Sequence, residues 1–218
     1  MRLRVKICCI SSRVEAKTAI AAGASALGLV GKMPSGPGVI TDEMIYNIAR
    51  VVPPPIATFL LTSETSAEEI IKHHKRTLTN TIQIVDALKT GSYKELKDAM
   101  PTVKLVQVIH VLDEKSVEEA ISVSQRVDAL LLDSGNPNLA IKELGGTGRV
   151  HNWKLSKKIR ESVSIPVFLA GGLKIQNVAE AIETVEPFGI DLCSSVRTAC
   201  RLDPVKLEEF FKAIDKYC

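Results

Sequence analysis

The chain has 218 residues, of which 45% are hydrophobic and 24% charged, with a formal charge of +3. That length supports one domain with a sizeable core. The small, evenly spread charge and an aromatic content of only 4% leave neither a basic stripe nor a stacking platform for nucleic acid.

In chain order, short runs rich in Val, Ile and Leu predict strands near Arg4–Cys8, Ala26–Gly31, Ile56–Leu61, Thr81–Val85, Lys104–Ile109, Ala129–Asp133, Val167–Ala170 and Ile190–Cys193. A helix-compatible segment follows each one. Ser12 is placed to cap VEAKTAIAAG, which Gly23 ends, and Thr41-Asp42-Glu43 opens the second helix. Thr65 and Ser66 precede AEEIIKHH. His73 and His74 are adjacent there, and the HHKR cluster is expected on a solvated helix face. Asn177 lies in the first turn of VAEAIETV, and Pro204 starts the last helix.

Eight strands alternating with eight helices, without a low-complexity linker, predict an α/β fold: a single (β/α)8 barrel domain over residues 1–218. The alternative is an open doubly wound sheet. A dinucleotide-binding sheet wants GxGxxG after its first strand, and this turn reads CCISS. The N-terminus, MRLRVKICC, shows no cleavage site, and no apolar run approaches a membrane span. The five cysteines form no CxxC pair and have no histidine at ligand spacing. A cytoplasmic protein with reduced thiols, no membrane or nucleic-acid partner and no metal is expected.

A barrel puts its chemistry at the C-terminal ends of the strands. On the first strand Lys6 and Cys8 share one face, and a charged Lys6 points more comfortably into the barrel than toward the helices. Cys8 then stands at the rim, as a reactive thiol or as a small buried apolar group. Asp133 closes the apolar strand DALLLD, as a rim acid or as a turn former before Ser-Gly. Strand seven ends in AGGL and strand eight in CSSVRT, the two loops that most often hold phosphate in such barrels. Glycine N–H groups at Gly171 and Gly172 and the hydroxyls of Ser194 and Ser195 suit an anion. The Gly-rich stretch Lys142–Trp153 lacks the GK[ST] ending of a P-loop and reads as a mobile loop over the mouth. His110 reads as a structural histidine and Trp153 as a packing residue. Closure makes strands one and eight neighbours, so Cys8 and Cys193 are a pair to inspect for a disulfide.

These stretches resemble the phosphoribosylanthranilate isomerase family of tryptophan biosynthesis. VKICCIS is similar to the family's VKICGIT, and LLLDSG, GGTGRVHNW and FLAGGLKIQNVAEAI follow in family order. PFGIDLCSSV is similar to PxGVDVSSGV. The resemblance implies an Amadori rearrangement of N-(5-phosphoribosyl)anthranilate, without metal or organic cofactor. It implies Asp133 as general acid and Cys8 as general base. Phosphate would sit on Gly171, Gly172, Ser194 and Ser195, and Cys9 takes the place of a turn glycine. The partner implied is a small phosphorylated aminosugar, and family members are monomers or homodimers.

Four departures stand out. Gly38, in SGPGVIT, replaces a substrate-holding arginine. Ser195 and Arg197 replace a Gly and a Glu. Strand four keeps Gln83, expected at the substrate, but carries Val85 and Asp86 in place of His and Gly. Gln107 replaces a strand-five lysine. Arg197 or Arg149 is expected to supply the lost guanidinium. The alternatives are an isomerase of another phosphorylated sugar or amine, or a catalytically silent barrel that binds a phosphorylated ligand.

Overall fold

The computed structural model describes residues 2–146 and 148–218. Eight parallel strands close into a barrel in sequence order: β1 (Arg4–Ile7), β2 (Ala26–Val30), β3 (Ala57–Thr62), β4 (Thr81–Ile84), β5 (Lys104–His110), β6 (Ala129–Asp133), β7 (Val167–Leu169) and β8 (Gly189–Leu192). Seven helices run between them: α1 (Arg13–Ala21), α2 (Asp42–Ala49), α3 (Ala67–Thr77), α4 (Tyr93–Ala99), α5 (Glu114–Ser124), α6 (Trp153–Ser162) and α7 (Val178–Val185). After β8 come a 3-10 turn (Ser194–Val196), a small antiparallel pair, β9 (Arg197–Thr198) and β10 (Arg201–Leu202), and α8 (Pro204–Ile214). Closure is made where β1 pairs with β8, in the register Lys6 opposite Asp191. The open-sheet alternative is therefore excluded.

The strands alternate as a barrel requires. Val5, Ile7, Leu27, Leu29, Leu130 and Leu132 pack outward with the helices. Ala26, Phe59, Val106, Val108, Ala129, Leu131 and Phe168 fill the interior together with Cys8. Inside, Phe168 stacks edge-on against Phe59 and Phe188, with ring centroids 6.0 and 5.4 Å away. Alternation carried past the strand ends decides which rim residues look into the mouth. Cys8 continues the inward phase of Lys6, and Asp133 that of Leu131.

The helix starts follow their caps. Ser12 Oγ accepts from the Glu15 amide at 3.2 Å, Thr41 Oγ1 from the Met44 amide at 3.2 Å, and Asp203 Oδ1 from the Val205 amide at 3.0 Å ahead of Pro204. One expectation fails on α3. His73 and His74 are both buried, and only Lys75 and Arg76 of the HHKR cluster are exposed. The His73 ring bridges Thr62 Oγ1 (2.9 Å) and Asp42 Oδ1 (3.1 Å), and His74 Nε2 donates to the Thr79 carbonyl at 2.7 Å. These partners satisfy both rings, so polar side chains pack under the helix without loss.

Candidate active site

The carboxyl ends of the strands surround one cavity, lined by Cys8, Cys9, Gln83, Asp133, Gly171, Gly172, Asp191, Cys193, Ser194 and Ser195 among others. Cys8, Asp133 and the four phosphate candidates therefore open onto one space. Cys8 and Asp133 are each only 7% exposed, which keeps bulk water from both. Asp133 Oδ1 accepts from the Ser134 amide at 2.8 Å, a bond that sets the carboxyl's orientation.

Beneath Cys8 lies an ion pair. Lys6, fully buried, holds Asp191 Oδ2 at 2.7 Å. Burial works against the Lys6 ammonium, but Asp191 and the neighbouring thiols hold its pKa well above the ordinary lysine value. Gly28 leaves room for this arrangement. A Cβ there would lie 2.9 Å from Cys8 Sγ and 3.0 Å from Lys6 Nζ, so ammonium and thiol flank the same point. Asp191 Oδ1 and Gln83 Oε1 are buried acceptors without a hydrogen-bond partner, and both residues line the cavity.

The four residues expected to hold phosphate come from two turns. Gly171 and Gly172 have φ of +82° and +61°, a conformation glycine adopts without steric cost. Asn177 braces that turn: its Nδ2 donates to the Gly172 carbonyl at 3.1 Å while its Oδ1 accepts from the Lys174 amide at 2.7 Å. Ser194 and Ser195 come from the 3-10 turn after β8.

The β6–α6 loop covers the mouth. Leu144, Gly145, Gly146 and Gly148 line the cavity, and a Cβ on Gly172 would lie 2.6 Å from the Arg149 carbonyl carbon. Ser35 Oγ donates to the Lys142 carbonyl at 2.6 Å and ties this loop to the one after β2. His151 Nε2 pairs with Ser156 Oγ at 2.7 Å, and burial pushes the His151 pKa down to about 4. Thr147 of this loop lies outside the described residues.

Two arginine expectations are corrected. Arg197 does not face the mouth. Its Nη2 donates to the carbonyls of Cys8 and Cys9 at 3.1 and 2.5 Å, and its Nη1 to that of Cys200 at 3.0 Å, while Glu15 pairs with the same guanidinium at 3.3 Å. It is a strut behind β1, with its charge already used. The exposed Arg149 side chain pairs with Glu143 outside the cavity. No arginine or lysine is among the described residues that line the cavity. Lys142 is likewise engaged, with Asp86.

Other sequence readings also move. Cys193 meets Cys9, with the two sulfurs 3.0 Å apart. Gln107 points away from the mouth, its Oε1 accepting from the Tyr93 hydroxyl at 2.9 Å. His110 does not move: buried as a structural histidine, its Nε2 donates to the Val85 carbonyl at 3.0 Å. Asp191 was missed by sequence reasoning. The available signal was a charge at an inward-facing position of each of two strands that barrel closure makes neighbours.

Reactive groups gathered at the carboxyl ends of barrel strands mark a (β/α)8-barrel enzyme. Comparison with known proteins narrows the class. The profile of the N-(5'-phosphoribosyl)anthranilate (PRA) isomerase family matches residues 5–213. An isomerase of that name from Methanocella arvoryzae is 32% identical over 212 residues, covering 97% of each chain. A second, from Methanosarcina mazei, is 35% identical over 196 residues, covering 89% of this chain and 86% of the relative. The solved isomerase of Pyrococcus furiosus superimposes with a TM-score of 0.78 at 25% identity, covering 98% of this chain and 99% of its own. The chain belongs to the phosphoribosylanthranilate isomerase family, whose members are aldose–ketose isomerases.

Proposed function

We propose that this chain converts N-(5'-phosphoribosyl)anthranilate to the corresponding 1-deoxyribulose 5-phosphate aminoketose, with Cys8 as general base and Asp133 as general acid. The observation that carries the reading is the sharing of one cavity by a shielded thiol, a shielded carboxyl and a Gly/Ser cradle.

Asp133 protonates the furanose ring oxygen, and the ring opens to a Schiff base. Cys8, as thiolate, removes the proton from sugar C2, and the enolamine tautomerises to the ketone. A thiol serves as base only when the thiolate is favoured. The Lys6 ammonium lies beside the Cys8 thiol, and Asp191 fixes the ammonium in place. The phosphate sits on the amides of Gly171 and Gly172 and the hydroxyls of Ser194 and Ser195. Gln83 Oε1 accepts from a substrate N–H or O–H. The apolar wall of Val30, Met33, Leu61, Val85 and Leu144 takes the aryl ring. The assembly is a monomer or a homodimer; the Thermotoga maritima isomerase, 22% identical with a TM-score of 0.78, is described as dimeric.

The test is turnover of freshly generated N-(5'-phosphoribosyl)anthranilate by reduced protein, followed by loss of anthranilate fluorescence. Cys8→Ala and Asp133→Asn are each expected to lose at least about 100-fold in kcat, the scale of general acid–base catalysis. Wild-type turnover that survives both substitutions rejects the roles.

That no arginine or lysine is among the described residues lining the cavity favours a second reading, a substrate whose amine carries no carboxylate. The phosphoribosyl adduct of unsubstituted aniline separates the two. Turnover better with aniline than with anthranilate selects the second reading.

A further inference from the structure

Two of this chain's departures from the family pattern meet in space. Cys9 stands where the family has a turn glycine, and Cys193 where PxGVDVSSGV has its first serine. Their sulfurs lie 3.0 Å apart, closer than unbonded packing requires and about 1 Å from disulfide contact. Cys8 Sγ is farther from Cys9 Sγ, at 4.0 Å. Cys9 is held in register with Cys193 by its backbone, at φ +62°, and by Arg197 on its carbonyl. Cys193 is the more exposed of the two and lines the cavity mouth, so a small reagent reaches it first.

We infer that Cys9 and Cys193 form a dithiol modification site, which low-molecular-weight disulfides oxidise reversibly to an intrachain disulfide across the β1–β8 closure, leaving the Cys8 thiol free.

The two thiols are suited to different steps. The hydrogen bond to Cys9 and the charge of Arg197 lower the Cys193 pKa against the effect of burial, whereas Cys9 is pushed up by its contacts with Cys193 and Cys8 and by burial. Cys193 is thus the attacking thiolate. It displaces one thiolate from the small disulfide and becomes a mixed disulfide. Cys9 then attacks the Cys193 sulfur, gives its proton to solvent, and releases the second small thiolate. Two protein thiols are oxidised by two electrons, and one small disulfide is reduced to two thiols. The new bond draws Cys193 toward β1. It displaces the adjoining turn, Ser194–Val196, which carries half of the anion cradle. This consequence rests on the cradle assignment proposed above; the disulfide itself does not.

The experiment uses oxidised glutathione as reagent, counts free thiols in denaturant, and measures ribose 5-phosphate binding by calorimetry. The reduced chain has five free cysteines. A loss of two thiols per chain, with no glutathione retained on Cys9 or Cys193, is expected in wild type and in Cys8→Ser; Cys9→Gly is expected to lose one, to glutathione held on Cys193, and Cys193→Ser none. Cys9→Gly places glycine at a left-handed φ, and Cys193→Ser is a second probe if either variant misfolds. Ribose 5-phosphate affinity is expected to fall about tenfold on oxidation, the scale of one lost hydrogen bond to a charged group, and to return with dithiothreitol. A two-thiol loss that persists in Cys9→Gly but vanishes in Cys8→Ser assigns the bond to Cys8 and overturns the inference. So does a count unchanged at five, or loss confined to interchain dimers through the exposed Cys200 and Cys218. Unchanged affinity in fully oxidised protein overturns the effect on the cradle while the bond stands, and this separates the two failures.

Discussion

A side chain at position 38 would start inside the space that Cys9 fills. A Cβ on Gly38 would lie 2.5 Å from Cys9 Cβ, 2.8 Å from Cys9 Sγ and 3.0 Å from Cys9 Cα. Gly38 also has φ +81°, where an L side chain is strained. The loss of the family arginine and the gain of a cysteine in place of the turn glycine are therefore one coupled change. Gly38→Arg alone is expected to destabilise by about 2–4 kcal/mol, from left-handed strain and overpacking together. Adding Cys9→Gly should recover part of that loss, because it clears Cβ and Sγ but leaves Cα in place. Urea unfolding of both singles and the double reads the coupling. Additivity of the two would disprove it.

The Lys6–Asp191 pair makes a separate prediction. Lys6→Met leaves a buried carboxylate without its cation, a loss of about 3–5 kcal/mol, whereas Lys6→Met with Asp191→Leu should be far milder. The pair also sets an alkaline limit. Because the folded Lys6 pKa is raised, its contribution is complete below the unfolded lysine value of about 10.4 and fades as pH rises through the higher folded value. Denaturation midpoints above that pH should fall in wild type and much less in the double variant.

His151 sets the acid limit of the loop over the mouth. Its folded pKa, about 4, lies below the ordinary 6.5, because burial disfavours the charged ring. Unfolding therefore takes up a proton at lower pH. The stabilisation is whole above about pH 6.5 and is lost as pH falls through about 4, by at most about 3 kcal/mol. Stability measured between pH 7 and 4 should fall less steeply in His151→Gln. Equal slopes would assign the acid sensitivity elsewhere.

Gly28→Ala tests the placement of the thiol. The added methyl would meet Cys8 Sγ, Lys6 Nζ and Cys8 Cα, the last at 3.1 Å, so both flexible ends and the backbone must yield. Displacement of a base by a fraction of an ångström to 1 Å costs on the order of 100-fold in rate. The loss should fall on kcat, with KM little changed, since the phosphate cradle lies on other strands. A KM effect alone would count against Cys8 as the base.

Asn177→Ala tests the cradle. It removes two hydrogen bonds that brace the Gly171–Gly172 turn, each contributing about 1 kcal/mol. KM should rise roughly 5- to 30-fold, with kcat nearly unchanged. Steady-state kinetics with the phosphorylated substrate distinguish this from general instability.

The barrel was legible in the sequence because its signal repeats. Most strand runs recur at the interval of one strand–helix unit, with a longer gap where the β6–α6 loop is inserted, and alternation on β1 placed Lys6 and Cys8 inward before any coordinates. That the turns after the last two strands would share one cavity was legible for the same reason, as two motifs at the ends of those strands. Pairings across the closure were not legible. Asp191 looked like one polar residue in GIDL until Lys6 came opposite it. Arg197 looked available because its partners are mainly backbone carbonyls, which carry no sequence signature. His73 and His74 looked solvent-facing because their adjacency suggested divergence, whereas Thr62, Asp42 and the Thr79 carbonyl were waiting under the helix.

The seam between β1 and β8 also bears on how the chain acquires its activity. Lys6 is separated from Asp191 by 185 positions, and the Cys8 carbonyl from Arg197 by 189. During synthesis the amino-terminal strand emerges first and waits for the last one. Until then its ammonium has no counterion, its thiols have no cavity around them, and its edge amides have no partner. Joining ends so far apart carries a loop-closure cost that must be met before the contacts across the seam form. Catalytic competence therefore arrives late and all at once.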